Sequence, residues 1–109
     1  MITSPFDSRT KTEEHSLPDG RKLIRYCVLA SPLPKTECNR NIYCLDTQGK
    51  VLWRVADHEA RFSADGGDPF IGIRVHGDGS IVGTTWEGWV CQINPNDGSL
   101  AISQYRIKT

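Results

Sequence analysis

Residues 41–53 read NIYCLDTQGKVLW, and this stretch decides the fold. The turn signal TQG (47–49) separates two short apolar runs. Val51, Trp53 and Val55 alternate along the second run, which predicts that they lie on one face of a strand. Two such runs joined by a turn that contains glycine predict a β-hairpin.

Five further runs have the length and the β-branched or aromatic content of strands. They are RKLIRYCVLA (21–30), FIGIRVH (70–76), SIVGTTW (80–86), WVCQIN (89–94) and SLAISQYRIK (99–108). In FIGIRVH the alternation predicts that Ile71, Ile73 and Val75 share a face. The sequence therefore predicts an all-β protein of about seven strands, three in a first sheet and four in a second.

The ends and connections of the chain set the limits of this domain. Residues 1–18 are polar and without period, which predicts a flexible N-terminal arm. Residues 31–40 contain two prolines and predict a loop, and residues 57–69 form a long polar connection. A chain of 109 residues can bury one core. We therefore expect residues 19–109 to form a single β domain.

The two predicted sheets have similar sequences. CLDTQGKVLW (44–53) aligns with QINPNDGSLAI (92–102), and an Asp-Gly pair precedes a strand in both halves. The two copies cover about residues 19–56 and 70–109. A repeat of about 40 to 50 residues built from short antiparallel strands is typical of β-propeller blades.

The first copy resembles the blade repeat of quinoprotein-type (PQQ-like) β-propellers. The matching positions are Ile42, Tyr43, Leu45, Asp46, Gly49, Lys50 and Trp53. The turn is one residue shorter than in that family. The resemblance implies that Asp46 and Gly49 shape the turn and that Trp53 packs between adjacent blades. The quinone ligands of the family are bound by other residues, none of which can be placed in this sequence, so we expect no cofactor.

Two blades are too few to close a propeller ring, which typically needs at least four. We therefore expect two consecutive propeller-blade-like antiparallel sheets and not a closed propeller within one chain. Either the two sheets pack on each other as a small sandwich, or several chains assemble.

The run at residues 21–30 favours assembly. It is long, it alternates cleanly, and no predicted strand precedes it, so one of its edges lacks an obvious partner. Arg21 and Arg25 carry charges along it, and Arg25 is a candidate binding residue. The edge is satisfied if the N-terminal arm folds back or if a second chain pairs with it. We expect a homo-oligomer, most simply a two-fold dimer.

Composition excludes several classes of partner and location. Lys plus Arg and Asp plus Glu number 13 each, so the net charge is zero. A neutral chain has no general attraction to nucleic acid or to an anionic membrane, and we expect neither as a partner. The N-terminal residues lack the apolar run of a secretory signal. No run approaches the roughly 20 apolar residues that span a bilayer. These features predict a cytoplasmic protein.

The four cysteines have no zinc-site spacing. They are Cys27, Cys38, Cys44 and Cys91. We expect all four to be reduced, and Cys44 and Cys91 to be buried, because both occupy apolar strands. No metal is expected.

Two polar groups are candidates for chemistry, and each has a simpler interpretation. The connection at 57–69 contains five acidic or histidine residues: Asp57, His58, Glu59, Asp65 and Asp68. They could bind a divalent cation. A solvated loop is the more typical interpretation of such a polar stretch. His76 with Asp78 could act in acid–base catalysis, but a His at the end of a hairpin strand is the simpler interpretation.

Trp86 and Trp89 flank one hairpin turn, and we expect one of them to be exposed. The first hypothesis is a small non-enzymatic module that binds proteins through a sheet edge or this aromatic hairpin. An inhibitor or immunity-type protein is its specific version, and the partners are a second copy or another protein. The alternative is a small-molecule binder or hydrolase. Its pocket would lie between the sheets and use His76, Asp78 and one of the tryptophans.

Overall fold

The computed structural model describes Phe6 and residues 10–28, 33–58 and 66–106, with side chains as far as residue 101. The described chain forms two four-stranded antiparallel sheets, and the strands of each sheet follow sequence order. The first sheet contains β1 (Thr12–Ser16), β2 (Lys22–Tyr26), β3 (Ile42–Leu45) and β4 (Val51–Arg54). The second contains β5 (Phe70–Val75), β6 (Ile81–Thr85), β7 (Trp89–Ile93) and β8 (Leu100–Arg106). The all-β prediction is confirmed, with eight strands among the described residues.

The eighth strand differs from the predicted flexible arm over residues 1–18 at Thr12–Ser16, while residues 1–5 and 7–9 lie outside the described residues. β1 pairs along its full length with β2, from Thr12 opposite Tyr26 to Ser16 opposite Lys22. The sequence of β1, TEEHS, has no apolar alternation because it is an edge strand, held by backbone hydrogen bonds and charged pairs. One of these charged pairs joins Arg25 Nε on β2 to Glu13 Oε1 on β1, at a distance of 2.5 Å.

A tight turn explains why the chain folds back at this point. Leu17 is buried, its N–H donates to the Arg21 carbonyl, and Gly20 adopts a φ of 92°. The edge of β2 is therefore paired within the chain, which removes the reason for expecting a second chain there. Self-association itself stays a prediction.

The main core lies between the two sheets. It is a single cluster that takes side chains from both: Leu17, Leu23, Ile42, Cys44, Trp53, Val55, Phe70, Ile73, Ile81, Cys91 and Ile93. Gly83 on β6 is part of this fit, because an added Cβ would lie 2.7 Å from the Phe70 ring. The missing side chain admits a phenyl ring into the centre of the core.

The opposite face of the first sheet is also covered. Phe6, Val28, Leu33 and Cys38 lie over Tyr43, Tyr26 and Val51. The covering segment includes a one-turn helix, α1 (Lys35–Cys38), in the region that the sequence predicts as a loop. The first sheet is therefore packed on both faces.

Two shifts in strand register place apolar side chains on a different face from the one that the alternation in the sequence predicts. The register shifts between Phe70 and Gly72, and Ile71 is 42 % exposed while Ile73 lies in the core. A second shift lies in the β3–β4 pair, where Val51 packs on the outer face and Trp53 packs between the sheets. An extra residue in one strand reverses the face on which the preceding side chain lies.

Candidate binding surface

The hairpin between β6 and β7 displays a large aromatic side chain. Trp86 is 59 % exposed, the most exposed large apolar side chain among the described residues. Trp89, three residues later, is half-buried and packs against the core. The exposed Ile71 lies at the same end of the second sheet, since Phe70 pairs with Thr85. This end therefore presents an indole and an aliphatic side chain to solvent.

Four successive backbone N–H groups hold this hairpin. Trp86 donates to the Pro69 carbonyl and Gly88 to the Thr85 carbonyl, both at 2.9 Å. Glu87 donates to Asp68 Oδ1 at 2.7 Å, and Trp89 donates to Thr85 Oγ1 at 3.1 Å. The Asp68 and Thr85 acceptors are fully buried. The turn that carries the exposed indole is therefore fixed by buried acceptors and has little conformational freedom to lose on binding.

A buried His–Asp pair supports the hairpin from below. His58 Nε2 lies 3.1 Å from Asp68 Oδ2, and their side chains are 2 % and 1 % exposed. The backbone N–H of Asp68 donates to Asn39 Oδ1 at 2.6 Å, and the His58 ring packs on Phe70. His58 Nδ1 is buried without a partner among the described residues, so the imidazole is held through Asp68.

At His58 and Asp68, this pair corrects the interpretation of residues 57–69 as a solvated loop. His58 and Asp68 are core residues, and Glu59 and Asp65 lie outside the described residues. No pattern in the sequence indicated this pair. Asp68 stands two residues before Phe70, the first residue of β5, and His58 lies ten residues before Asp68, so only the fold brings the two side chains together. No group of three or more His, Cys, Asp or Glu residues that could hold a metal ion occurs in the described part of the chain.

His76 and Asp78 lie at the other end of β6 from Trp86. Asp78 Oδ1 accepts hydrogen bonds from the backbone N–H and the hydroxyl of Ser80, at 2.9 and 2.7 Å. These bonds, with the nearby His76, lower the pKa of Asp78. Asp78 therefore shapes its own turn. The length of β6 separates it from the tryptophans, and the core cluster fills the space between the sheets. The structure does not bring these residues together in one pocket.

Arg25 links the two sheets. Its side chain is 14 % exposed, pairs with Glu13 and donates from Nη1 to the Phe70 carbonyl at 3.3 Å. Burial raises the pKa of Glu13, but hydrogen bonds from Arg25 and His15 outweigh it and leave that pKa below its usual value. Arg25 is therefore occupied within the chain.

The turn residues implied by the blade resemblance have clear local roles. Asp46 Oδ1 accepts from the backbone N–H groups of Gln48 and Lys50, and Gly49 adopts a φ of 85°. Trp53 is 6 % exposed and reaches the second sheet, where its indole N–H donates to the Pro95 carbonyl at 2.9 Å.

The buried thiols have little nucleophilic character. Cys44 and Cys91 are fully buried, as the sequence predicts, and all four cysteines are free. Burial raises the pKa of Cys44, and burial together with the charge of Asp68 raises the pKa of Cys91 to about 11. At neutral pH both are protonated, and the thiol form is a poor nucleophile. Cys27 is exposed.

Comparison with known proteins places the chain in one family. Residues 24–105, more than half of the chain, match the family described as "Domain of unknown function (DUF7957)", and the chain belongs to it. The matched region begins in β2 and ends in β8, so it covers most of both sheets but not β1. Neither a search of curated proteins nor a search of solved structures found a match. Among the described residues, no helix has the length and apolar character needed to cross a membrane.

Proposed function

We propose that this protein is a non-enzymatic binding module that contacts another protein through the hairpin that carries Trp86. The observation that carries this proposal is the 59 % exposure of Trp86 on a turn whose four N–H groups are all hydrogen-bonded. Tryptophan is enriched among the residues that contribute most to protein–protein binding. A turn whose backbone is already fixed loses less conformational entropy on binding than a mobile one.

The chemistry of the buried polar groups supports a binding role over a catalytic one. The His58–Asp68 pair has almost no exposed surface, and each oxygen of Asp68 already contacts the imidazole or the Glu87 N–H. Cys91, with its raised pKa, is a poor nucleophile at neutral pH. These groups are well suited to holding the hairpin and poorly suited to reaching a substrate.

Affinity capture with a matched pair of variants tests the proposal. The protein is immobilised and exposed to an extract of the cells that express it, and bound proteins are quantified by mass spectrometry. Trp86→Ala should reduce recovery of the specific partner by at least about tenfold. Leu52→Ala, which removes a 48 % exposed side chain from the first sheet, should leave recovery unchanged. Equal recovery by wild type and Trp86→Ala contradicts the proposal.

Two further measurements separate the competing functions. Light scattering gives the mass in solution, and a mass of twice 12.2 kDa that becomes 12.2 kDa in Trp86→Ala identifies a second copy as the partner. A thermal-shift screen against small molecules and divalent ions tests the alternative, because a ligand that binds the folded state raises the midpoint. A clear shift with a small molecule favours the small-molecule function, and its loss in Trp86→Ala would place that ligand at the hairpin.

A further inference from the structure

The second sheet has an open face, in contrast to the first. Its inner face forms the core, while the outer-face side chains that the structure describes are half-buried or exposed. Four of them, paired across the four strands, form one lateral row: Arg74, Val82, Gln92 and Ala101. None of these residues is part of either apolar cluster. The described chain therefore leaves this face without a covering segment.

The first sheet shows how this chain covers an equivalent face. There too an arginine on a strand at the sheet edge, Arg54 on β4, begins a lateral row through Tyr43 and Ile24. The covering segment supplies Glu37, whose carboxylate lies 2.9 Å from Arg54 Nη2 and whose carbonyl accepts from the same atom at 3.0 Å. Phe6 adds a ring 5.8 Å from the guanidinium. The cover thus combines a carboxylate for the arginine with apolar side chains.

The open face has a depression where such a segment can lie. A cleft of about 370 Å³ is lined by Gly72, Arg74, Val82, Thr84 and Val90, among others. A second cleft of about 500 Å³ continues past His76 and Val82 to Gln92 and Ala101. The depression exists partly because Gly72 has no side chain, and a Cβ added there would meet no heavy atom within 4 Å.

The charges on this face identify the kind of partner. Arg74 is exposed and makes no side-chain hydrogen bond or ion pair with any described residue, and His76 is exposed beside it. The described strand positions of this face include no carboxylate, and Asp78 in the adjoining turn is engaged by Ser80. A second copy packed face to face would bring another Arg74 and His76 without a compensating acid. A partner with its own carboxylates is the complementary one.

We propose that the open face of the second sheet binds an extended acidic segment of a partner protein. A carboxylate of that segment pairs with Arg74, and aliphatic side chains contact Val82 and Val90. The proposal rests on the proposed protein-binding function and extends its surface from the Trp86 hairpin onto the adjacent face.

Selection from a random peptide library displayed on phage tests this proposal. Peptides of about 12 residues are long enough to cross a four-stranded sheet. We expect the enriched peptides to carry a net negative charge and aliphatic residues. Their affinity is then measured by fluorescence anisotropy. Arg74→Glu should raise Kd by at least about tenfold, because it replaces attraction with repulsion. A peptide with its critical Glu changed to Lys should regain affinity for that variant.

Two substitutions control for folding and for net charge. An added Cβ at Gly72 would meet no heavy atom within 4 Å, and Gly72 is not among the glycines with a positive φ. We therefore expect Gly72→Leu to fold, which circular dichroism checks, and to lose binding because its side chain occupies the depression. Lys50→Glu makes the same charge change as Arg74→Glu at an exposed position in the turn between β3 and β4 and should leave Kd unchanged.

Each remaining outcome decides between this inference and the proposed function. Peptides that require Trp86 but tolerate Arg74→Glu and Gly72→Leu overturn the acidic-segment inference and leave the hairpin function standing. Neutral or basic peptides, or a failure to enrich any peptide, also overturn the inference. Peptides insensitive to all three substitutions contradict both proposals. Binding to phosphatidylserine vesicles that Arg74→Glu abolishes would reassign the face to an anionic membrane.

Discussion

Gly98, in the turn between β7 and β8, lies against the indole ring of Trp53 on the first sheet. A Cβ added to Gly98 would lie 2.5 Å from Cε3 of the indole and 3.0 Å from the Arg54 carbonyl. The Ala56 N–H also donates to the Gly98 carbonyl at 3.0 Å. The last strand of one sheet and the last turn of the other are thus joined by a close packing contact and a backbone hydrogen bond.

Removal of the Trp53 side chain should strongly destabilise the protein. We expect Trp53→Ala to lower the free energy of unfolding by about 3 kcal/mol, since it empties a large buried site between the sheets. Trp53→Phe should cost less, because it keeps most of the apolar contact and loses mainly the hydrogen bond to Pro95. Urea unfolding followed by circular dichroism measures both. A loss below about 1 kcal/mol for Trp53→Ala would contradict the inter-sheet role.

Two alanine substitutions separate backbone strain from the Trp53 contact. Gly98 and Gly49 both adopt a left-handed φ, of 78° and 85°, but no heavy atom lies near an added Cβ at Gly49. Gly49→Ala should therefore cost only about 1 kcal/mol of strain. Gly98→Ala should cost about 3 kcal/mol, because displacement of the indole adds to that strain. Equal losses for the two variants in urea unfolding would show that the indole moves aside freely.

The general architecture follows from the sequence because each predicted strand is an apolar run ending in a turn. Seven of the eight described strands fall within those runs. β1 is the exception, since TEEHS carries no apolar alternation and is recognisable only once the turn around Leu17 and Gly20 is seen to be a hairpin. Ile71 and Val51 lie on a different face from the one that the alternation in the sequence predicts. Each stands beside a register shift, and such a shift depends on how the partner strand pairs.

The candidate surface was predictable in part. The Trp86-Glu87-Gly88-Trp89 sequence indicates a hairpin with one exposed indole, and the structure shows which one it is. The support beneath it was not predictable, because His58 and Asp68 meet across ten residues of polar sequence that has no period. The open face was not predictable either. Only the strand register shows that Arg74 lies beside Val82, and only the structure shows that no described segment covers this row.

Thiol labelling should distinguish the four cysteines. Cys27 is exposed and should react with an excess of Ellman's reagent as soon as the native protein is mixed with it. Three thiols are buried and should react only as the protein unfolds, because the reagent cannot reach their sulfur atoms in the native protein: Cys38, Cys44 and Cys91. Mass spectrometry of the labelled peptides identifies the sites. Rapid reaction of Cys91 in the native protein would contradict its burial.

Cys91 should also make stability depend on alkaline pH. Its pKa rises from an ordinary value of 9.0 to about 11 in the folded protein. Between these values the unfolded chain loses the thiol proton while the folded chain keeps it, so the free energy of unfolding falls as pH rises. Urea unfolding of wild type and Cys91→Ala between about pH 8 and pH 10 isolates this effect from other titrations. The stability curve of the variant should fall less steeply, and parallel curves would contradict the prediction.

Asp68 should be essential to the shape of the Trp86 hairpin. Asp68→Ala leaves the Glu87 N–H and the His58 imidazole without their acceptor in a buried site, so we expect a loss of about 3 kcal/mol in the free energy of unfolding. Asp97→Ala removes a carboxylate that accepts a similar hydrogen bond from Ser99 in an exposed turn, and it should cost less than about 1 kcal/mol.

Amide hydrogen exchange reports on the hairpin directly. In Asp68→Ala the Glu87 amide should exchange faster relative to the Ile81 and Ile93 amides, because the hydrogen bond that protects it is absent. Since the same turn carries the exposed indole, this variant should also weaken binding at Trp86 without altering any residue that contacts the partner. Unchanged protection of Glu87 would show that the backbone holds the turn without the carboxylate.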